Sequence, residues 1–419
     1  MNVLLIHQSF TSGREAGGTR HFELGQRLAA HSDRLTIVAS QVSYLTGRPV
    51  DPGRWGLFYR EPSGVVEVLR AYAPPAYHRS FFMRVVSFVV FALASVWAGL
   101  RAGPADVVMG TTPPLFQAFS AWLVARLRHK PFLLEVRDLW PKFAIDMGVL
   151  RNPLLKALAL GAERFVYRHA DHLLVNSPAY RDHLLDQGVP AGKVSLVPNG
   201  ADVDMFDPSA RGEQFRTRYG LADKLLVLYA GALGMANDLK TVIEAADRLR
   251  DRSEVHFLLL GDGKERAGLE GEARRRGLTN VTFAGPLPKD RMPEALAAAD
   301  LCLATLMNIP AFTTTYPNKV FDYMAAGRPT LLAIGGVIRE VIEAAGGGVY
   351  VPPGDAAALA AAVERLSGDA PLREQMGRSA RRYVAQHFNR SRQAEEFRRV
   401  LRALAAGQEL SPCPAPSNG

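Results

Sequence analysis

Short blocks of apolar residues alternate along this chain with longer stretches in which apolar positions return every three or four residues, and the alternation runs through twice. In the first pass the blocks at 3–6, 35–40, 65–70, 105–109, 131–136 and 172–176 read as buried strands, and the spacings at 22–30, 115–128 and 152–168 read as helices. In the second pass strands are predicted at 224–229, 255–260, 281–284, 301–306 and 330–334. Helices are predicted between and after them at 239–250, 292–299, 319–326, 355–366 and 371–388. The polar stretch 44–60 reads as irregular. Strands that alternate with helices predict parallel sheets covered on both faces, so the fold class is α/β, with two Rossmann-like doubly wound domains. The turn Pro198-Asn199-Gly200 separates the passes and places the domains at 1–198 and 199–388. A last helix at 389–406 is expected to cross back and pack on the first domain, and 407–419 to be a disordered tail.

The most apolar stretch, 81–100, breaks the pattern. Between Arg84 and Arg101 lie 16 uncharged residues, fewer than the roughly twenty that a spanning helix needs. His78, Arg79, Arg84 and Arg101 flank it. A buried helix of the first domain, a helix resting on an anionic membrane surface and a true span all stay open. Composition adds that the chain of 419 residues is 48% hydrophobic with a net charge of +9, which suits globular domains with anionic partners. The basic residues are scattered and not interleaved with aromatics, so no nucleic-acid partner is expected. Two cysteines, Cys302 and Cys413, suit a reducing cytoplasm. The first residues lack a basic region and a cleavage site, so they read as a strand and not as a secretion signal. No cluster with metal-ligand spacing is present; Asp202-Val203-Asp204 follows a Pro-Asn-Gly turn and reads as hinge, so no catalytic metal is expected.

The candidate chemistry concentrates in 310–336. Tyr316-Pro317-Asn318 is turn chemistry, followed by a helix whose apolar Val320, Phe321 and Met324 share a face and whose end is marked by Gly327. A loop feeding a helix start presents free N–H groups and a positive dipole end, a natural seat for a phosphate. Lys319 adds a full charge there, and Asp322 a carboxylate able to accept from sugar hydroxyls. In the first domain, Gly17-Gly18-Thr19-Arg20-His21 opens a helix, where glycines let amides approach a ligand. The strand at 131–136 ends in Arg137-Asp138, a charged pair at the strand end where open parallel sheets carry their functional loops.

The run Pro317-Asn318-Lys319-Val320-Phe321-Asp322-Tyr323-Met324-Ala325-Ala326-Gly327 resembles the nucleotide-sugar loop of the retaining, GT-B-fold glycosyltransferases of family 4, and within them the bacterial surface-polysaccharide branch. The resemblance covers nearly the whole chain up to about residue 405. It implies two Rossmann-like domains facing a cleft, with Lys319 on the donor diphosphate together with the first glycine loop, Gly17, Gly18 and Arg20. It also implies that Arg137 and Asp138 orient the donor sugar, and that Gly231, Gly234, Asn237, Gly261, Leu287 and Asn318 line the donor. The wider family carries two glutamates seven residues apart on this loop; here the positions are Thr314 and Asp322, so ribose binding by Asp322 is implied and the sugar contact falls to a threonine. The arginine and lysine that clamp the diphosphate in the wider family are Ala232 and Asn237 here, as they are within the polysaccharide branch.

The implied activity is transfer of a hexose, whether plain, N-acetylated or deoxy, from a nucleoside-diphosphate sugar, a UDP-sugar above all, to a polyprenyl-diphosphate-linked glycan or another glycoconjugate, with no cofactor and no metal. A lipid-linked acceptor would place the protein in the cytoplasm, peripheral on the inner face of the plasma membrane. Two other readings stay open: a nucleotide-sugar 2-epimerase on the same fold, and a non-catalytic sugar-nucleotide-binding protein, prompted by Thr314, Ala232 and Asn237.

Overall fold

The computed structural model describes residues 1–12, 17–44, 46–64, 66–75 and 80–410. The chain divides into two units, the first comprising 1–12, 19–198 and 391–410 of the described residues, the second 17–18 and 199–390.

The first unit is built on eight strands: β1 (Asn2–Ile6), β2 (Arg34–Ser40), β3 (Phe58–Ser63), β4 (Val66–Ala71), β5 (Val107–Thr112), β6 (Phe132–Val136), β7 (His172–Val175) and β8 (Val194–Leu196). Their order is β3-β4-β2-β1-β5-β6-β7-β8. Only β3 runs antiparallel, against β4. The connections reverse direction between β1 and β5, which makes that point the topological switch of the sheet. Successive residues of β1 serve opposite faces: Leu4 and Ile6 join one core cluster, Val3 and Leu5 the other. The second face is closed by Ala394, Phe397, Val400 and Leu401 of the helix Arg390–Ala405. That helix is tied down by Arg398, whose Nε lies 2.7 Å from Asp33 Oδ2 while the chain's amino terminus holds the other oxygen at 3.0 Å.

Two elements differ from the sequence reading. The stretch read as irregular runs into β3, which takes its last three residues and whose Pro62 and charged residues suit only an edge strand. It is held through side chains, Arg60 pairing with Glu67 at 2.7 Å and Arg70 with Glu61. Likewise 194–196, where no strand was predicted, is the last strand of the sheet. Val65, His78, Arg79 and 411–419, including Cys413 and most of the expected tail, lie outside the described residues.

The apolar stretch forms the helix Phe81–Arg101, capped by Ser80, whose Oγ accepts from Met83 N at 3.1 Å. Phe91, Ala94 and Ala98 enter the core, and the helix packs beside Leu115–Leu127. By length and composition it could cross a membrane, but only a third of it is buried. Phe82, Val89, Leu93, Trp97 and Leu100 face outward.

The second unit holds β9 (Leu225–Ala230), β10 (Val255–Leu260), β11 (Val281–Gly285), β12 (Leu301–Thr305), β13 (Thr330–Ala333) and β14 (Gly348–Tyr350). All are parallel in the order β11-β10-β9-β12-β13-β14, with the switch between β9 and β12. The helices Arg266–Arg275 and Val337–Ala345 add to the expected set. The first buries little beyond Leu269 and Ala273, and the second is framed by glycines that read as turns. The residues after Pro198 pack within this unit: Asn199 Nδ2 donates to the Tyr316 carbonyl at 2.7 Å, and Ala201 bridges to Asn389. Asp202 and Asp204 sit in and beside the 3-10 turn Val203–Met205.

Candidate functional site

In the second unit the loops after β9, β10 and β12 meet the start of the helix Asn318–Ala325 at the switch point of the sheet. Val320, Phe321, Tyr323 and Met324 are buried, and the helix packs against β12 and β13. Tyr323 fixes the helix, its Oη accepting from Ala230 N at 3.0 Å. Lys319 is four residues earlier and so projects from the same face. Its ammonium donates to Tyr229 Oη at 2.9 Å and to Asn237 Oδ1 at 3.2 Å, and lies 4.1 Å over the Tyr229 ring. Every partner is neutral, and among the described residues no carboxylate pairs with it. Burial pushes the Lys319 ammonium down to about 7. A charge held this way at a helix start is poised for an anion.

Glycines make room for this arrangement. A Cβ on Gly231 would lie 2.7 Å from Lys319 Nζ, and one on Gly261 would lie 1.8 Å from the Gly231 carbonyl oxygen. Gly234 opens the 3-10 turn Met235–Asn237 that delivers Asn237 to the lysine. Asn237 therefore stands where a cation was expected by analogy and acts on Lys319 instead. Asn318 begins the helix with its Oδ1 buried and unpartnered among the described residues. Leu287 packs half-buried on the core just past β11.

Three donor residues of the sequence reading are engaged differently from expectation. Asp322 is held by Lys289, whose Nζ lies 2.5 Å from Oδ2, and that lysine was not foreseen. Thr314 ends the 3-10 turn Pro310–Thr314 and turns its hydroxyl back to the Ala311 carbonyl at 2.6 Å. Arg20 is the plainest correction: its guanidinium is buried, with Nε 2.9 Å from Glu135 Oε1 and its other nitrogens on the Pro198 and Val197 carbonyls at 3.0 and 2.7 Å. A helix-start arginine reads as free from sequence, because the carboxylate that captures it is 115 residues away. Gly17 and Gly18 are exposed, and the four residues before them lie outside the described residues.

In the first unit Arg137 and Asp138 follow β6, at the carboxyl end of the sheet near its switch point. They form no direct pair. Arg137 Nη1 donates to His7 Nε2 at 3.0 Å, while Asp138 Oδ1 is 3.4 Å from Tyr180 Oη. Burial lifts the Asp138 carboxyl to about 6, although Arg137 and Tyr180 oppose the shift. His7 continues to His21 at 3.0 Å, and His21 to Glu135 at 2.6 Å. These three residues were not singled out in the sequence; only the Gly-Gly-Thr-Arg-His run hinted at His21.

The family model described as Glycosyl transferase 4-like domain matches residues 16–200, and that described as Glycosyl transferases group 1 matches residues 224–369. WcaI of Escherichia coli (strain K12), named as a glycosyl transferase of colanic acid biosynthesis, is 26% identical over 337 residues, which cover 78% of this chain and 82% of WcaI. The D-inositol 3-phosphate glycosyltransferase of Streptomyces avermitilis is 25% identical over 394 residues, covering 90% of this chain and 81% of that one. Among solved structures, sucrose-phosphate synthase from Thermosynechococcus elongatus aligns with a TM-score of 0.75 at 22% identity, covering 97% of this chain and 100% of that chain. Anabaena HepE in complex with UDP-glucose aligns at 0.70 and 17% identity, covering 96% and 100%. Two parallel-sheet α/β units, matched in succession by these two domain models, place the chain among the family 4-like glycosyltransferases of the GT-B fold.

Proposed function

We propose that the protein transfers a hexose, whether plain, N-acetylated or deoxy, from a UDP-sugar to a polyprenyl-diphosphate-linked glycan or a similar glycoconjugate, with retention at the anomeric carbon and without a metal or cofactor. The observation that carries this is the Lys319 ammonium, seated among neutral partners at the switch point of the second sheet. Its charge is matched to a diphosphate that leaves with additional negative charge, the situation in which a fixed cation accelerates a reaction. Asp322 is assigned the ribose, which would take the place of Lys289 on that carboxylate. Arg137 and Asp138 are assigned the polar chemistry of transfer. The likeness to WcaI supports a role in polysaccharide biosynthesis, and the HepE complex supports a UDP-sugar donor.

The outward apolar residues of Phe81–Arg101 support a peripheral seat on the inner face of the plasma membrane, next to a lipid-linked acceptor. Arg101 stands 4.4 Å over Trp97, a cation beside the apolar face as anionic headgroups would require. The test is a thermal-shift screen of nucleotide sugars followed by product analysis of the best donor with lipid-linked acceptors. A donor that stabilises the protein and yields a product of retained anomeric configuration is the expected result. Stabilisation by no nucleotide sugar would end the reading.

A further inference from the structure

In the first unit, four side chains are joined end to end. Arg137 Nη1 meets His7 Nε2 at 3.0 Å, His7 Nδ1 meets His21 Nδ1 at 3.0 Å, and His21 Nε2 meets Glu135 Oε2 at 2.6 Å. The direction of this chain is forced. A guanidinium only donates, so His7 Nε2 accepts and the single proton of the neutral ring sits on Nδ1. His21 Nδ1 therefore accepts, and its Nε2–H donates to the carboxylate. Every ring nitrogen has one role with both rings neutral, and an extra proton on either ring would set two N–H groups against each other. Burial lowers the basicity of both imidazoles, most strongly at His7. Burial alone would raise the Glu135 carboxyl, but His21 and Arg20 on its two oxygens hold it well below the usual range.

The two arginines end up in opposite conditions. Arg20 is neutralised by Glu135. Among the described residues Arg137 hydrogen-bonds an imidazole and no carboxylate, although the Asp138 and Glu135 carboxyls feel its charge, and its Nε is buried without a partner. A carboxylate in the place of His7 would hold the guanidinium as firmly but would cancel the charge it presents. Glu135 is the last residue but one of β6, and Arg137 follows the strand's end. His7 and His21, from the end of β1 and the first turn of Arg20–Ala29, close the span between them.

We propose that His7 and His21 are positioning residues, which hold Arg137 in one orientation with its Nε–H left for the transferred sugar of a nucleoside-diphosphate-sugar donor. This rests on the glycosyl-transfer reading above, and the experiment separates the two. Nitrogen-15 histidine spectra of the full chain near neutral pH, with signals assigned through His7→Gln and His21→Gln, report the tautomers directly. His7 is expected as the Nδ1–H form, the minor form of a free imidazole, and His21 as the Nε2–H form. Arg137→Met should shift the His7 Nε2 resonance. An Nε2–H form on His7 in the parent, or no response to Arg137→Met, overturns the hold.

In kinetics with the UDP-sugar that the thermal-shift screen selects and a lipid-linked acceptor, followed as release of UDP, His7→Phe is expected to lower kcat about a hundredfold, the cost of a misplaced catalytic contact. The dissociation constant of UDP should stay within about twofold, since the diphosphate is assigned to Lys319. His7→Gln retains an acceptor oxygen and is expected to recover about tenfold of the loss. Equal losses of UDP affinity and turnover in His7→Phe overturn the positioning role. A parent protein that binds no UDP or UDP-sugar defeats the transferase reading instead, and the spectra still decide whether the histidines lock Arg137.

Discussion

Lys319 Nζ stands 2.9 Å from the phenolic oxygen of Tyr229 and 4.1 Å above the same ring, so the lysine is seated by a neutral aromatic and not by an acid. Its charge remains uncancelled for a ligand. Lys319→Ala is therefore expected to weaken UDP binding far more than uridine binding, and to cost about a hundredfold or more in turnover. Asp322→Asn, by contrast, should weaken uridine and UDP by the same factor, because both carry the ribose. Calorimetric titration of both ligands measures this, and equal losses in Lys319→Ala would remove the lysine from its role.

Because burial pushes the Lys319 ammonium down to about 7, the free protein loses this charge as the pH rises through neutrality. Below that value donor affinity should be level. Above it, binding a nucleotide sugar must take up a proton, and affinity should fall by up to about tenfold per pH unit. Titrations in buffers of different ionisation enthalpy detect the proton. Lys319→Arg keeps its charge and should show neither proton uptake nor a slope.

Gly231→Ala and Gly261→Ala should fail in different ways. The new methyl at 231 would lie 2.7 Å from Lys319 Nζ, the movable end of a long side chain, so the lysine gives way and donor affinity drops about tenfold or more, with some stability lost as well because φ at 231 is 156°. The methyl at 261 would lie 1.8 Å from the Gly231 carbonyl oxygen, which the backbone cannot yield. That variant should lose stability first, by roughly 2 kcal/mol or more. Thermal melts and UDP titrations on both variants separate the outcomes.

The outward face of Phe81–Arg101 gives a sharper membrane test than its total apolarity. Leu93 is 70% exposed and Trp97 44%, whereas Phe91, Ala94 and Ala98 are buried. Leu93→Glu with Trp97→Glu should leave the melting temperature nearly unchanged and release the protein from vesicles containing anionic lipid. A parent protein that ignores such vesicles in a flotation assay would dismiss the membrane seat.

Glu163 is buried on the helix Pro153–His169, accepting from Tyr167 Oη at 3.0 Å. Burial raises its carboxyl from 4.5 to about 7, against the pull of Tyr167 and Gln187. The folded state therefore holds this proton where the unfolded chain releases it. The contribution is complete below pH 4.5 and disappears as the pH climbs through about 7. The difference is of order 3 kcal/mol. Glu163→Gln should flatten the decline in melting temperature between mildly acidic and mildly alkaline pH; an unchanged slope would show that the carboxyl is not the source.

The parallel sheets were legible from the chain because strands buried on both faces must be apolar nearly throughout, as at 3–6, 226–230 and 257–260. The helix after Tyr316-Pro317-Asn318 was legible for a similar reason: local turn chemistry and a three-to-four spacing of Val320, Phe321 and Met324 need no distant partner. The edge strand β3 was not, because its stability comes from Arg60 and Arg70 pairing with carboxylates across the sheet, and its own residues look like a loop.

The chemistry divides along the same line. Residue type and local position alone determined that Lys319 carries its charge at a helix start and that Arg137 and Asp138 follow a strand, since both depend on neighbours within a few residues. Only the tertiary structure decided what those charges meet. Arg20 is consumed by Glu135, Asp322 is held by Lys289, and among the described residues Lys319 and Arg137 hydrogen-bond groups other than carboxylates. The state of a charge is set by groups within a few ångströms of it, and folding draws those groups from as much as 178 positions away along the chain.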